Sequence, residues 1–264
     1  MRKTGYQRDP ILIDQKSHIA LDGMHRLKSL ELLGAKYVAC ALFDASDDSV
    51  RVERWLRTFV APGESLIDAL VAVFEMNRCS SLRAAVRNVE TGKSKIALLS
   101  RQDCYSDGKD WAIGEVYRKI GEADKLCERN HADVHFLTES EKFSLFSSES
   151  VQLLYPAKLS KLEIARFAAR HELLPYKTTR YIFPARPMGL HFPLSALRGD
   201  TLSECNEALE SIVKFSKVTL EPKNVWYEGR KYSERLAIFR RIPRASRDDT
   251  VHRWSSQDRS RKRD

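Results

Sequence analysis

The run ILIDQKSHIALDGMHRLKSLELLGAKYVACALF, residues 11–43, constrains the fold more than any other part of the chain. Residues 11–13 and 19–21 are short apolar, β-rich stretches separated by the polar DQKSH, which suits two strands or a hairpin-like excursion. From residue 24 to 33 the leucines Leu27, Leu30 and Leu33 recur every three positions, on one side of a helix that Gly34 can end in a left-handed conformation. Residues 37–43 then form a strand. A chain that alternates short strands and helices in this way is expected to be mixed α/β, and 264 residues suffice for one large domain or two modest ones.

Farther along, VRVERWLRTF at 50–59 alternates well enough to be one strand, with Arg51, Glu53 and Arg57 partly exposed. A helical stripe at Leu66, Leu70, Val73 and Asn77 follows, whereas the region through Ala97 is poorly defined up to a strand over 96–99. Residues 116–128 mix helical and turn signals, and 133–137 is a brief strand. Ser160 and Glu163 occupy capping-box positions before a helix that Pro175 stops near Leu173, and Thr201 and Glu204 repeat that logic.

The 45 Lys and Arg outnumber the 36 Asp and Glu, a formal charge of +9, so attraction to anions, DNA included, is expected at low salt. From Arg240 onward nine residues are basic and four acidic, with few periodic apolar positions, which predicts a basic flexible tail over 241–264. Five widely spaced cysteines with no CxxC pair favour reduced thiols in a cytoplasmic protein. No stretch approaches the roughly 20 apolar residues that cross a bilayer, so no membrane partner is expected.

Two polar clusters carry candidate chemistry. In DGMHR, Gly23 permits a tight turn and leaves the first backbone N–H groups of the helix facing outward, where they and Arg26 would favour a phosphate. His25 could orient or protonate that phosphate, and Asp22 could hold Mg²⁺. A plain Asp-Gly turn facing water is the alternative, and the stretch has neither P-loop nor dinucleotide-fingerprint spacing. In the second cluster, Lys177, Thr178, Thr179 and Arg180 set two hydroxyls between two cations, which fits either an anion site or an exposed basic loop. Arg186 and His191 could extend a polar rim or brace a proline-rich connection.

These residues carry a resemblance. DPILIDQKSHIALDGMHRLKSLELLGAKYVAC resembles the ParB/sulfiredoxin-like nucleotide-binding domain, and LPYKTTRYIFPARPMGLHFPLSAL sharpens the likeness to the free L-serine kinases of the SerK/SbnI type. It spans roughly residues 6–240 and is weak over about 77–150. It implies a ParB/sulfiredoxin-like core over 1–75, a second substrate-binding, mostly helical region over 76–240, and the tail over 241–264. It further implies phosphorylation of free L-serine to O-phospho-L-serine, with ATP or ADP as donor and Mg²⁺ as cofactor. By the resemblance, Asp22, His25 and Arg26 form the phosphate-transfer centre, Gly23, Met24, His25 and Arg26 bind the nucleotide, and Asp22 serves the metal. Trp55 and Arg57 in VERWLRTF, with Thr179 and Arg180, match the segments near the amino acid. Tyr181 stands where the family has a histidine, so no histidine role passes to it.

The resemblance also implies a His-Glu pair before the first strand, its glutamate the general base. Met1 lies only ten residues before Ile11, and the acidic residue in that interval is Asp9, which nothing places at the glutamate's position. The expectation is therefore either an upstream segment supplying that pair or an altered activity. A non-enzymatic ParB-like nucleotide-binding regulator of DNA is the competing reading; it explains the charge but not the Thr179–Arg180 cluster. Sulfiredoxin-type reduction is disfavoured because Met24 lies where a reactive cysteine is required, and a thioether cannot replace a thiol nucleophile. The sequence leaves the oligomeric state open.

Overall fold

A computed structural model of the chain describes residues 1, 4–139, 141 and 151–242. The basic tail from residue 243 onward lies outside the described residues. In chain order the first half comprises β1 (Tyr6–Gln7), β2 (Ile11–Asp14), β3 (Ala20–Asp22), α1 (Met24–Leu32), β4 (Cys40–Phe43), β5 (Arg51–Arg54), β6 (Leu56–Val60), α2 (Glu64–Val73), β7 (Met76–Arg78), α3 (Leu82–Glu90), β8 (Ile96–Leu99), β9 (Cys104–Asp107) and α4 (Ile113–Arg129). The second half adds β10 (His135–Leu137), β11 (Val151–Pro156), α5 (Lys161–Ala169), β12 (Thr179–Ile182), β13 (Ala185–Met188), β14 (Phe192–Pro193), α6 (Leu194–Leu197), α7 (Leu202–Lys214), β15 (Ser216–Glu221), β16 (Val225–Tyr227), β17 (Arg230–Tyr232) and β18 (Arg235–Arg241). The mixed α/β class is as expected from sequence.

The chain divides into two units interleaved in sequence: residues 1–12, 23–41 and 185–264 form one, and residues 13–22 and 42–184 the other. In the first unit, β18 pairs parallel with β13 and antiparallel with β15. Its core gathers Leu30 of α1, Ala39, Leu190, Phe192, Leu194 and Leu197 of α6, and Cys205 of α7. Leu30 is fully buried and anchors α1, contributing roughly 1.5–3 kcal/mol as a buried leucine. Gly34 ends this helix as expected, at φ 70°.

The second unit is built on a six-stranded sheet in the order β10-β6-β11-β8-β9-β7. Leu56, Leu99, Leu153 and Tyr155 pack there with Ala85 and Val89 of α3. Beside it β5 pairs antiparallel with β12, setting Glu53 opposite Arg180 and Arg54 opposite Thr179.

Several expectations are corrected. Residues 50–59 are two strands, not one: the chain leaves the β5 ladder at Trp55 and enters the large sheet as β6, so one alternating pattern serves two sheets. Arg57 is buried rather than partly exposed, because Asp124 and two backbone carbonyls satisfy its guanidinium. The indistinct 77–97 stretch contains α3, capped by Ser81, whose hydroxyl accepts from the Ala84 N–H. The mixed signals at 116–128 resolve into the 17-residue α4. The Ser160–Glu163 capping box forms with both reciprocal bonds, but α5 ends at Ala169, before Leu173. All five cysteines are unbridged. Among the described residues no helix is long and apolar enough to cross a membrane.

Candidate functional site

The DGMHR stretch is built as a strand end, a left-handed glycine and a helix start. Asp22 ends β3 in the second unit, and Gly23 opens the first unit's α1 with φ 100° and ψ 18°. That backbone conformation costs an ordinary L-residue about 1–2 kcal/mol. A Cβ there would also lie 2.8 Å from Arg26 Nη2 and 3.0 Å from Ile11 Cδ1. Glycine therefore lets the Arg26 guanidinium fold back under the turn, where Nη2 donates to the Pro10 carbonyl at 3.1 Å. The first helical bond runs from the Leu27 N–H to the Gly23 carbonyl. As N-cap, glycine brings no side-chain oxygen to the helix start, whose backbone donors and positive dipole end suit an anion. Met24 and His25 are exposed on that first turn.

The second cluster lies wholly in the second unit. Lys177 takes φ 55° in the turn that leads into β12, and Thr178 Oγ1 donates to the Pro175 carbonyl at 2.7 Å to close it. Thr178 thus shapes the turn. Arg180 follows on the strand, 5% exposed, and Nη1 pairs with Glu53 Oε2 at 2.8 Å across the β5–β12 ladder. Two cations lie over the Trp55 indole: Lys177 Nζ at 3.8 Å from the ring centroid and the Arg180 guanidinium carbon at 5.5 Å. An aromatic surface with two cations and one carboxylate can recognise a zwitterion, the cations taking an acid and Glu53 with the indole taking an ammonium group.

Arg57 sits one layer beneath. Its Nε donates to both oxygens of Asp124, at 2.7 and 3.0 Å, its Nη2 to the Tyr176 carbonyl at 2.8 Å, and its Nη1 to the Lys177 carbonyl at 3.5 Å. The guanidinium also stacks on Phe136. It fixes the turn that presents Lys177 and stands behind the cluster. Arg54 does similar work on the other side of Trp55, bonded to the Pro156 carbonyl, the Tyr155 hydroxyl and Glu90. Tyr181 is buried, and that burial pushes its phenol up to about 12, with Asp14 adding to it, so it is neutral at ordinary pH.

The structure therefore joins Trp55, Thr179 and Arg180 in one neighbourhood, with Arg57 bracing it, and places Gly23, Met24, His25 and Arg26 together on α1. Asp9 is buried, accepting the Gly189 N–H at 2.9 Å and pairing with Arg8. Arg186 is committed to Glu234 in a buried pair at 2.7 Å, whereas His191 is exposed, its Nδ1 2.8 Å from the Gly189 carbonyl. Sequence reasoning missed Glu53 as the partner of Arg180. The β5–β12 pairing that opposes them is separated by more than a hundred residues of chain, so no local pattern signals it. It also missed Asp124, which lies on α4.

No family model matches the chain. An ATP-dependent L-serine kinase of Staphylothermus marinus is 21% identical over 209 residues, which cover 75% of this chain and 81% of the relative. Among solved structures, C-terminally truncated SbnI from Staphylococcus aureus superposes with a TM-score of 0.65 at 20% identity, covering 81% of this chain and 84% of that one. A glutamate-to-alanine mutant of a free serine kinase in complex with ADP gives 0.62 at 20% identity, over 74% of this chain and 82% of the other. A conserved hypothetical protein from Pyrococcus furiosus gives 0.60 at 22%, over 74% and 85%. The chain thus shares one mixed α/β fold with these proteins.

Proposed function

We propose that this chain transfers a phosphoryl group from ATP or ADP to the hydroxyl of free L-serine, giving O-phospho-L-serine. The observation that carries the reading is Arg180, held by Glu53 beside Trp55 and Lys177, a set of groups suited to the charges of a free amino acid. The similarity to an ATP-dependent L-serine kinase over three quarters of the chain supports it.

In this reading Arg180 and Lys177 bind the serine carboxylate or, after transfer, the product phosphate. Thr179 offers a hydroxyl beside them, and Arg57 keeps the turn in place. The α1 start, with Gly23, Met24, His25 and Arg26, takes nucleotide phosphate through backbone N–H groups and side-chain donors. Among the described residues no three His, Cys, Asp or Glu side chains cluster as a metal site. Mg²⁺ would therefore be held by Asp22 together with phosphate oxygens, the usual habit of this ion, and would supply neutralisation of phosphate charge. His25 orients the phosphate or supplies a proton to it.

The test is serine-dependent nucleotide turnover: purified chain with Mg²⁺ and ATP or ADP, with and without L-serine, followed by nucleotide chromatography. Conversion that requires L-serine supports the reading and identifies the donor. Salt-sensitive DNA binding with no serine-dependent conversion would replace it with the regulator reading.

A further inference from the structure

In the first unit β15 is the outermost strand of the sheet β13-β18-β15, and among the described residues no strand pairs with its other side. The Ile242 N–H donates to the Phe215 carbonyl at 3.1 Å, continuing the register that sets Ser216 opposite Arg241, so the odd-numbered residues of β15 exchange their backbone hydrogen bonds with β18. The N–H and C=O groups of Ser216, Val218 and Leu220 therefore point to the outer edge. Val218 and Leu220 are 49% and 51% exposed, on one face of the strand. An uncovered edge that carries exposed apolar side chains is a template for another strand.

The charges along β15 identify that strand. Lys217 is exposed and stands directly opposite Arg240 in the ladder, like charges in register, while Glu221 reaches Arg240 only at 3.9 Å. The outward backbone groups allow an antiparallel second copy of β15 to pair about Val218, Thr219 or Leu220. Pairing about Val218 sets Lys217 against Thr219 and Glu221 against Phe215. Pairing about Leu220 sets Lys217 against Lys223, and Val218 against Pro222, which has no N–H to give. Pairing about Thr219 sets Lys217 against Glu221 and Val218 against Leu220, each twice by symmetry, with Pro222 only at the end of the ladder.

We infer that β15 is a self-association edge, on which two copies of this chain pair antiparallel about Thr219 and join their sheets into one. Lys217 then meets the partner's Glu221, which offsets its repulsion by Arg240, and the apolar side chains of Val218 and Leu220 cover those of the second copy. A six-residue strand buries little area, so the dimer is reversible and forms at micromolar concentration. β15 carries none of the residues assigned to phosphoryl transfer, and the inference does not rest on that reading.

The test is analytical ultracentrifugation of the full chain across the micromolar range at physiological salt, beside variants of β15. The parent chain should pass reversibly from monomer to dimer. Lys217→Glu and Glu221→Lys each set like charges opposite one another at both ends of the ladder and should weaken dimerisation roughly 10-fold, whereas the two reversals together restore both pairs and should recover most of the affinity. Leu220→Ser, also at an exposed position, should weaken it without touching the charges. Urea unfolding of the same preparations shows that each variant is folded. A parent chain that stays monomeric across the range overturns the inference, as does a dimer indifferent to both single reversals. A folded double variant that associates no better than the singles overturns the register about Thr219.

Discussion

Removing the Arg180 side chain should separate recognition from folding. Arg180→Ala deletes a guanidinium that is 5% exposed and leaves Glu53, about one-fifth exposed, without its 2.8 Å partner. If the guanidinium binds the serine carboxylate, the lost charge-assisted contact is worth about 1.5–3 kcal/mol, a fall of roughly 10- to 100-fold in kcat/KM for serine. The stability cost should be about 1–3 kcal/mol, from a part-buried Glu53 that solvent reaches and screens. The measurements are serine kinetics at saturating nucleotide, nucleotide affinity by titration, and urea unfolding of the same preparations. Arg180→Lys should recover part of the loss, since an ammonium restores charge but not the planar fork. Unchanged serine kinetics in folded Arg180→Ala protein would refute the assignment. A parallel fall in nucleotide affinity would show that Arg180 acts only through the fold.

Three further outcomes follow from other parts of the structure. Gly23→Ala places a Cβ on a left-handed residue and against Arg26, so it should destabilise by about 1–2 kcal/mol and weaken nucleotide binding; unfolding and nucleotide titration read the two effects separately. Arg57→Ala strips the partner from Asp124 and releases the Tyr176 and Lys177 carbonyls, and because Asp124 keeps some solvent contact the loss should fall near the low end of about 3–5 kcal/mol, with a rise in KM for serine as the turn loosens. Glu90 is raised by burial, but the Tyr155 hydroxyl and Arg54 more than offset this and hold it below its ordinary 4.5. Its contribution to stability is therefore present above pH 4.5 and lost as pH falls through its lower folded value; Glu90→Gln should flatten the acid limb of the stability profile, and an unchanged limb would contradict the pairing.

The parts of the fold that sequence makes legible are those whose cause is local. The leucine spacing of α1 and Gly34 after it, the Ser160 capping box, and the strand runs at 11–14 and 96–99 all follow from neighbours within a few residues. The break at Trp55 is not local. Arg57 looks like a partly exposed residue on an alternating strand, and only Asp124 and the carbonyls of Tyr176 and Lys177, distant in the chain, make its burial tolerable. The division into interleaved units is partly hidden for a similar reason: of its four crossings, those at 12–13 and 41–42 fall inside strands, and only those at 22–23 and 184–185 coincide with a glycine or a proline. At the candidate site, DGMHR and KTTR stand out as clusters of residue types. Which member touches what does not: Thr178 turns back to Pro175, and Lys177 reaches Trp55 through a left-handed turn that a strand pattern does not anticipate.

Phosphoryl transfer to serine is tested most directly by the product itself. The chain is incubated with Mg²⁺, L-serine and either ATP or ADP, and O-phosphoserine is sought by mass spectrometry, using isotopically labelled serine so that the product is traced to the added amino acid. Labelled O-phosphoserine that forms only with chain, nucleotide and serine together is the predicted result. Its absence from folded protein that binds nucleotide, with either donor, would contradict the account.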